Sequence, residues 1–208
     1  MTRPGFLFIL DGDNGTGKDT QSELLVKRLR QEGLTVRGVH ALESNNRVIA
    51  FRKLALDPEQ HPRSDYAEAL AFFTMHAETV AEVVLPLRAN GTTVVLNRAP
   101  ETAYIYNVLA KGLTEKYPEL SAIYHRLMTE LKPDRVIILD TDVETARLRS
   151  AQQKETDHLQ DKEDEEHQAR RRFFQQLAAE NSWSIVDASG SIAAVFDLIW
   201  QEIKPIIV

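Results

Sequence analysis

The 208-residue chain predicts an α/β fold in which a parallel sheet of five strands carries helices on both faces. Short apolar runs alternate with amphipathic helical patterns along the chain. Each run is apolar throughout, which is typical of parallel strands buried on both faces. The first run is joined to the first helix by the glycine-rich segment Gly12–Lys18. A strand, a glycine loop and a helix in this order indicate a site for phosphate.

The strands are predicted from the apolar runs and their boundaries from turn residues. Gly33 ends the first helix as a left-handed C-cap, and Asn90-Gly91 marks a turn before the third strand. Pro133-Asp134 introduces the fourth strand. The predicted strands are Phe6–Leu10, Leu34–Val39, Thr92–Leu96, Arg135–Leu139 and Trp183–Val186.

Helices are predicted where apolar residues recur with a period of about 3.6 residues. The longest pattern covers Asp65–Arg88, and the last contains Ile192 and Ile203. The predicted helices are Asp19–Glu32, Val48–Leu56, Asp65–Arg88, Glu101–Lys111, Glu119–Leu131, Thr141–Ser150, one that contains Phe173, Phe174 and Leu177, and Ile192–Ile203.

Composition sets the class of protein. Hydrophobic residues make up 43% of the chain and charged residues 27%, which is normal for a globular protein. The net charge of −6 gives no general attraction to nucleic acid or to membrane surfaces, and no apolar run approaches about 18 residues. Cysteine is absent, which excludes disulfides and thiolate nucleophiles. We expect one cytoplasmic domain over residues 1–208.

The segment Gly12–Lys18 has the spacing of the phosphate-binding P-loop. Its glycines allow successive backbone N–H groups to point at an anion, and the following helix N-terminus adds partial positive charge. The Lys18 ammonium reaches the outer phosphates. The alternative is a glycine turn followed by a chance lysine. The residues predicted to bind ATP are Asp13, Asn14, Gly15, Thr16, Gly17, Lys18, Asp19 and Thr20.

The metal position of the loop is irregular. The residue after the lysine is usually Ser or Thr, whose hydroxyl binds Mg²⁺, but here it is Asp19, followed by Thr20. Either the Asp19 carboxylate or the Thr20 hydroxyl is therefore predicted to contact Mg²⁺.

The run Phe6–Gly12, the P-loop and the sequence Lys18-Asp19-Thr20-Gln21 resemble the opening of thymidylate kinases and, more broadly, of nucleoside monophosphate kinases. The resemblance continues in order over nearly the whole chain. It implies the three-layer P-loop fold with strand order 2-3-1-4-5, a mobile lid at residues 150–166, ATP and Mg²⁺ as cofactors, and a homodimer paired through long helices.

The same resemblance implies an acceptor site. Arg52 matches an arginine that contacts phosphate, Phe72 a phenylalanine that stacks on the base, and Tyr106 a tyrosine beside the sugar. Arg98 also directly follows an apolar strand, where open α/β sheets bind ligands. Alternatively, Phe72 packs in the core and Arg98 and Tyr106 are surface residues. The substrate-binding residues implied are Glu43, Arg52, Phe72, His76, Asn97, Arg98, Thr102 and Tyr106.

Several positions depart from the family pattern. Asn97 replaces an aspartate and His76 an arginine, while the lid retains Arg149 but has His158 where a later arginine is expected. An arginine that stabilises the transferring phosphoryl contributes about 10³–10⁵ in rate, or roughly 4–7 kcal/mol of barrier. Three explanations remain for the missing arginine. Arg147, Arg149 or Lys154 substitutes for it, a partner supplies a cation, or the enzyme is slow.

The sequence thus favours a kinase that transfers the ATP γ-phosphoryl group to a (deoxy)nucleoside monophosphate, with dTMP as the favoured acceptor. Lys18, Arg98 and Arg149 are its predicted catalytic residues. Two alternatives remain. One is a related kinase with a different nucleotide or small-molecule acceptor, and the other is a nucleotide-binding module that has lost catalysis.

Overall fold

The computed structural model describes residues 4–57, 59, 64–151 and 160–208, with only the backbone described at 150, 151 and 160–163. Its centre is one parallel sheet whose order, β2-β3-β1-β4-β5, confirms the predicted fold. The strands are β1 Leu7–Gly12, β2 Val36–His40, β3 Thr93–Asn97, β4 Arg135–Asp140 and β5 Ser184–Asp187.

Nine helices are described around this sheet, and each predicted helix has a counterpart. Two predicted helices contain π-helical turns, at Val80–Val84 between α3 and α4 and at Ile105–Leu109 after α5. The helices are α1 Lys18–Gln31, α2 Asn46–Leu56, α3 Asp65–Thr79, α4 Leu85–Ala89, α5 Pro100–Tyr104, α6 Pro118–Leu131, α7 Val143–Ala151, α8 Gln160–Asn181 and α9 Ile192–Ile207.

Strand β2 begins two residues later than predicted, because the end of α1 uses the backbone N–H of Leu34. Gly33 has a φ of 85°, and the Leu34 N–H donates to the Leu29 carbonyl at 3.2 Å, which closes the end of α1. Leu34 is therefore committed to the helix terminus. The strand begins at Val36 instead of the predicted Leu34.

The central strands β1, β3 and β4 are buried on both faces, and successive side chains of a strand point to opposite faces. In β1, Leu7 and Ile9 join a cluster with α3 and α6, whereas Phe8 and Leu10 pack against α1 and α9. This arrangement explains why the strand is apolar from Leu7 to Leu10. It also places the carboxyl ends of β1 and β3 side by side, where the P-loop begins.

One described helix, Asp65–Ala89, is long and apolar enough to cross a membrane by length and composition. Core helices of soluble proteins pass the same test. In this fold the helix contacts α2 and α6, and its residues Ala69, Phe73 and Val84 belong to the hydrophobic core. Residues 152–159 of the predicted lid at 150–166 lie outside the described residues, which resume in α8.

Candidate active site

The P-loop leaves β1 and enters α1 through left-handed glycines. Gly17 is the N-cap of α1, with a φ of 86° and no atom within 4 Å of an added Cβ. Gly15, with a φ of 78°, is close-packed instead, because an added Cβ would lie 2.3 Å from the Ala146 carbonyl oxygen of α7. The N-terminus of α1 therefore faces open space, whereas the middle of the loop rests on α7.

Lys18 lies inside this loop and is 5% exposed. Its Nζ donates to the Asp13 carbonyl oxygen at 2.7 Å and lies 3.5 Å from the Thr16 hydroxyl. Burial lowers the pKa of Lys18 to about 7, and the positive charge of Arg98 adds to this effect. A bound anion would favour the charged ammonium, so the site is prepared for phosphate.

Arg98 is held above the loop in an unusual backbone conformation. Its φ is 64°, in the left-handed region that costs a residue other than glycine about 1–3 kcal/mol. Its N–H donates to the Leu10 carbonyl at 3.1 Å, and its Nη2 donates to the Asn14 side-chain oxygen at 2.7 Å. The structure thus places this predicted residue directly at the P-loop.

Asp19 and Asn97 meet beside the loop. The Asn97 Nδ2 donates to Asp19 Oδ1 at 2.5 Å, and the buried Asn97 Oδ1 has no hydrogen-bond partner among the described residues. A carboxylate and an orphaned amide oxygen suit Mg²⁺, which prefers oxygen ligands and keeps several waters. Thr20 is exposed on the first turn of α1. The described residues include no cluster of three or more His, Asp or Glu able to hold a metal by themselves.

On the predicted acceptor side, Arg52 of α2 forms an ion pair with Glu43, and both are partly exposed. Phe72 is half-buried against two hydrophobic clusters, so it does make the core contacts that its alternative interpretation required. His76 is 1% exposed. Burial, and secondarily Arg98, lowers the pKa of His76 to about 3, so the imidazole is neutral.

Thr102 supports the base of the loop. Its hydroxyl donates to Asp11 Oδ2 at 2.5 Å, and the same buried carboxylate accepts from the N–H groups of Gly12 at 2.8 Å and Ala99 at 3.2 Å. The Thr102 proton is therefore committed to Asp11 and not presented to the predicted substrate.

Tyr106 is partly buried and also contacts the loop. It lies in the π-helical turn after α5, and its hydroxyl donates to the Asp13 carboxylate. Burial raises the pKa of Tyr106, and the negative charge of Asp13 raises it further. The hydroxyl is therefore a neutral hydrogen-bond donor.

Arg149, a predicted catalytic residue, has a different set of partners. Its guanidinium donates to the carbonyl oxygens of Ala188 at 2.7 Å, Ser189 at 3.1 Å and Gly190 at 3.2 Å. It thereby fastens α7 to the turn after β5. Arg147 lies 4.0 Å from Asp164, whereas Lys154 and His158 lie outside the described residues.

The sequence reasoning did not find two side chains of α8 that contact the P-loop. Arg170 donates from Nε to both oxygens of Asp13, at 3.1 and 3.0 Å. His167, one helical turn earlier, lies with Nδ1 3.5 Å from Asp13 and Nε2 3.4 Å from the Asn14 carbonyl oxygen. The one available signal was Asp13 itself, because a carboxylate in an anion-binding loop needs a positive partner.

Comparisons with known proteins agree with this geometry. The family model described as Thymidylate kinase matches residues 10–199. A thymidylate kinase of Ectopseudomonas mendocina (strain ymp) is 30% identical over 196 residues, covering 92% of this chain and 91% of the relative. One from Chlamydia trachomatis serovar L2 is 30% identical over 202 residues, covering 96% and 98%. With a P-loop, a five-stranded sheet of matching order and relatives of this kind, the chain belongs to the thymidylate kinase family.

Proposed function

We propose that this chain is an ATP-dependent nucleoside monophosphate kinase that converts dTMP to dTDP. The observation that carries the proposal is the convergence of Lys18 and Arg98 on one glycine loop. Lys18 belongs to the loop, whereas Arg98 comes from the neighbouring strand end, so the two cations can contact different phosphates. The family and its named relatives support the same reaction and acceptor.

The residues have distinct roles in this proposal. The loop N–H groups and Lys18 bind the ATP phosphates, and Arg98 with Arg52 neutralises the acceptor phosphate. Phe72 contacts the base, and Tyr106 the sugar. The acceptor phosphate is itself the nucleophile, so no strong protein base is needed. Holding the two phosphates in line supplies much of the rate.

Mg²⁺ belongs to the proposal as the ion that neutralises charge between the phosphates when bound. Asp19 is the favoured ligand because its carboxylate lies against Asn97, whose free amide oxygen offers a second hard donor nearby. Thr20, which is exposed in the same turn, is the alternative.

A coupled assay of ADP release tests the function across the common ribo- and deoxynucleoside monophosphates with ATP and Mg²⁺. We expect turnover that is highest with dTMP, and Lys18→Met should lower it by about a hundredfold or more, as loss of a preorganised charge does. A flat panel for the wild-type protein would contradict the proposal. The melting temperature with an ATP analogue and each acceptor gives an independent ranking.

Two alternative functions each rest on one observation. A different acceptor is favoured by His76, because a neutral imidazole replaces the arginine of the family on the acceptor side. A higher rate with another monophosphate would support it.

A module without catalysis is favoured by Arg149, whose guanidinium is bonded to backbone carbonyls. Tight ATP binding without turnover, unchanged by His158→Arg, would support that alternative.

We also propose, from family membership, a homodimer that acts on cytoplasmic nucleotides. Helix α2 contacts α3 through buried Val48 and Ala55, while Ile49, Phe51 and Leu54 are exposed on it. An exposed apolar helix surface is compatible with pairing between subunits.

A further inference from the structure

We infer that Arg170 of α8 is the arginine that stabilises the transferring phosphoryl group, taking the place of the lid or P-loop arginine that this chain lacks. The inference rests on the proposed kinase activity. It assigns to one residue a role that the sequence left to Arg147, Arg149, Lys154 or a partner.

The position of Arg170 is fixed from several directions. Its Nε donates to both Asp13 oxygens, and its guanidinium carbon lies 4.8 Å from the centre of the Tyr106 ring. Tyr106 is bonded to the same carboxylate. The Arg170 side chain is only 14% exposed. An arginine held in this way loses little rotational freedom when it binds a further group.

The guanidinium still has donors available for an anion. Its described bonds to Asp13 use Nε, and Nη1 lies 3.8 Å from Glu166, which is beyond hydrogen-bonding distance. The terminal nitrogens are the part of the fork that matches phosphate oxygens. Arg170 can therefore keep its contact with Asp13 and bind phosphate at the same time.

Charge explains why Asp13 needs this partner. Two like charges about 4 Å apart repel by about 4 kcal/mol at an effective dielectric constant near 20. An uncompensated Asp13 carboxylate, which is 3% exposed, would therefore oppose phosphate binding. Arg170 offsets that charge, so that Asp13 does not add to the negative charge that Asp11 and Asp19 already place near Lys18.

The other described candidates fit the role less well. Arg149 is bonded to three backbone carbonyls after β5, and Arg147 lies next to Asp164. Arg171 points to β4, where its Nε and Nη2 contact the two Asp140 oxygens at 2.7 and 2.8 Å. Arg170 thus contacts the P-loop, whereas its neighbour Arg171 contacts the sheet. Substitution of Arg171 is therefore a matched control for substitution of Arg170.

The test compares Arg170→Met, Arg170→Lys and the control Arg171→Gln in steady-state kinetics with ATP and dTMP. We expect Arg170→Met to lower kcat by about 10³ or more and also to raise the KM for ATP, because the Asp13 carboxylate is left uncompensated. Arg170→Lys, which keeps the charge but loses the fork, should retain intermediate activity. Arg171→Gln should lower the melting temperature and leave kcat within a few fold.

A second readout separates catalysis from folding. Calorimetry should show that ADP with aluminium fluoride and dTMP binds the wild-type protein more tightly than ADP alone, and that Arg170→Met loses this difference. As a single change, Asp13→Asn should lower kcat, because it releases the guanidinium. In the Arg170→Met background it should restore ATP binding without restoring kcat, because it removes the uncompensated carboxylate but does not replace the guanidinium.

The outcomes distinguish the two proposals. A wild-type protein without turnover on any monophosphate would overturn the kinase activity and, with it, the role of Arg170. An active wild-type enzyme whose Arg170→Met variant keeps its kcat and its affinity for the aluminium fluoride complex would overturn the role of Arg170 alone.

Discussion

Lys18 is buried, and no carboxylate among the described residues is bonded to its ammonium, which has a consequence for nucleotide binding. Its described partners are a carbonyl and a hydroxyl oxygen, and burial lowers its pKa to about 7. Bound phosphates favour the charged ammonium and raise the pKa again. ATP binding should therefore draw a proton onto Lys18 whenever the pH is above about 7.

We predict uptake of close to one proton per ATP bound at pH 8.5, where a terminal phosphate with a pKa of about 6 is already ionised. Calorimetry in buffers of different ionisation enthalpy measures the uptake. Lys18→Arg should bind ATP without it, because arginine stays charged. ATP affinity should also fall as pH rises above about 7. Binding by the wild-type protein with no proton uptake at this pH would contradict the prediction.

Glu101, at the start of α5, is a buried acid whose pKa is raised, whereas Lys18 is a buried base whose pKa is lowered. It is fully buried, and neither carboxylate oxygen has a hydrogen-bond partner among the described residues. Burial raises the pKa of Glu101 well above its usual value, and the negative charge of Asp11 raises it further. A folded-state pKa that is raised means that stability is complete below the unfolded pKa and is lost as pH rises through the folded pKa.

We predict that Glu101→Gln stabilises the protein at pH 8, where each unit of the raised pKa costs about 1.4 kcal/mol. The gain should shrink as the pH approaches 5. Thermal melts across this range measure the effect, and Glu115→Gln, at an exposed position, should show none. A variant less stable than the wild-type protein at pH 8 would show that the carboxylate has a favourable partner.

At the level of elements, the junction between the P-loop and α7 depends on Gly15. Gly15 and Gly112 have similar positive φ values, 78° and 62°, but an added Cβ meets the α7 backbone only at Gly15. A side chain costs strain at both positions and a backbone collision at one. The comparison therefore isolates the contact with α7.

We predict that Gly112→Ala destabilises the protein by about 1 kcal/mol, the cost of a left-handed alanine. Gly15→Ala should cost at least about 2 kcal/mol more, because the helix must move away from the loop. Urea unfolding of the two variants measures the difference. An equal decrease in the free energy of unfolding for both variants would mean that α7 moves away from Gly15 without an energetic cost.

The elements themselves were largely predictable. Strands buried on both faces leave continuous apolar runs, and turn residues such as Asn90-Gly91 mark their ends. The two π-helical turns were not predicted, because one extra residue in a turn leaves the apolar pattern nearly unchanged.

The site was predictable only where chemistry is local in sequence. The P-loop residues and Arg98 follow strands directly, so the sheet brings them together. The contact of Arg170 with the P-loop was not predicted, because its partner Asp13 lies 157 residues earlier and no local sequence pattern connects the two. Arg149 occupies the expected sequence position, but its guanidinium donates to backbone carbonyls after β5.

For the whole molecule, the testable expectation is the dimer. Helix α2 exposes Ile49, Phe51, Leu54 and Leu56, each at least 42% accessible. We predict that Leu54→Glu converts a dimer to monomers, because a charge buried in an apolar contact is strongly unfavourable. Light scattering at micromolar concentration measures the mass. Leu198→Glu, at an exposed position of α9, should leave the dimer intact. A wild-type protein that is monomeric at this concentration would contradict the predicted dimer.

The ion pair between Asp13 and Arg170 joins the beginning of the chain to its last quarter. During synthesis on the ribosome, the glycine loop emerges early, with its acidic side chain still uncompensated. A truncated product that ends before α8 would keep the loop and Lys18 but lack the guanidinium that cancels this charge. The nucleotide site is therefore completed only after α8 has been synthesised.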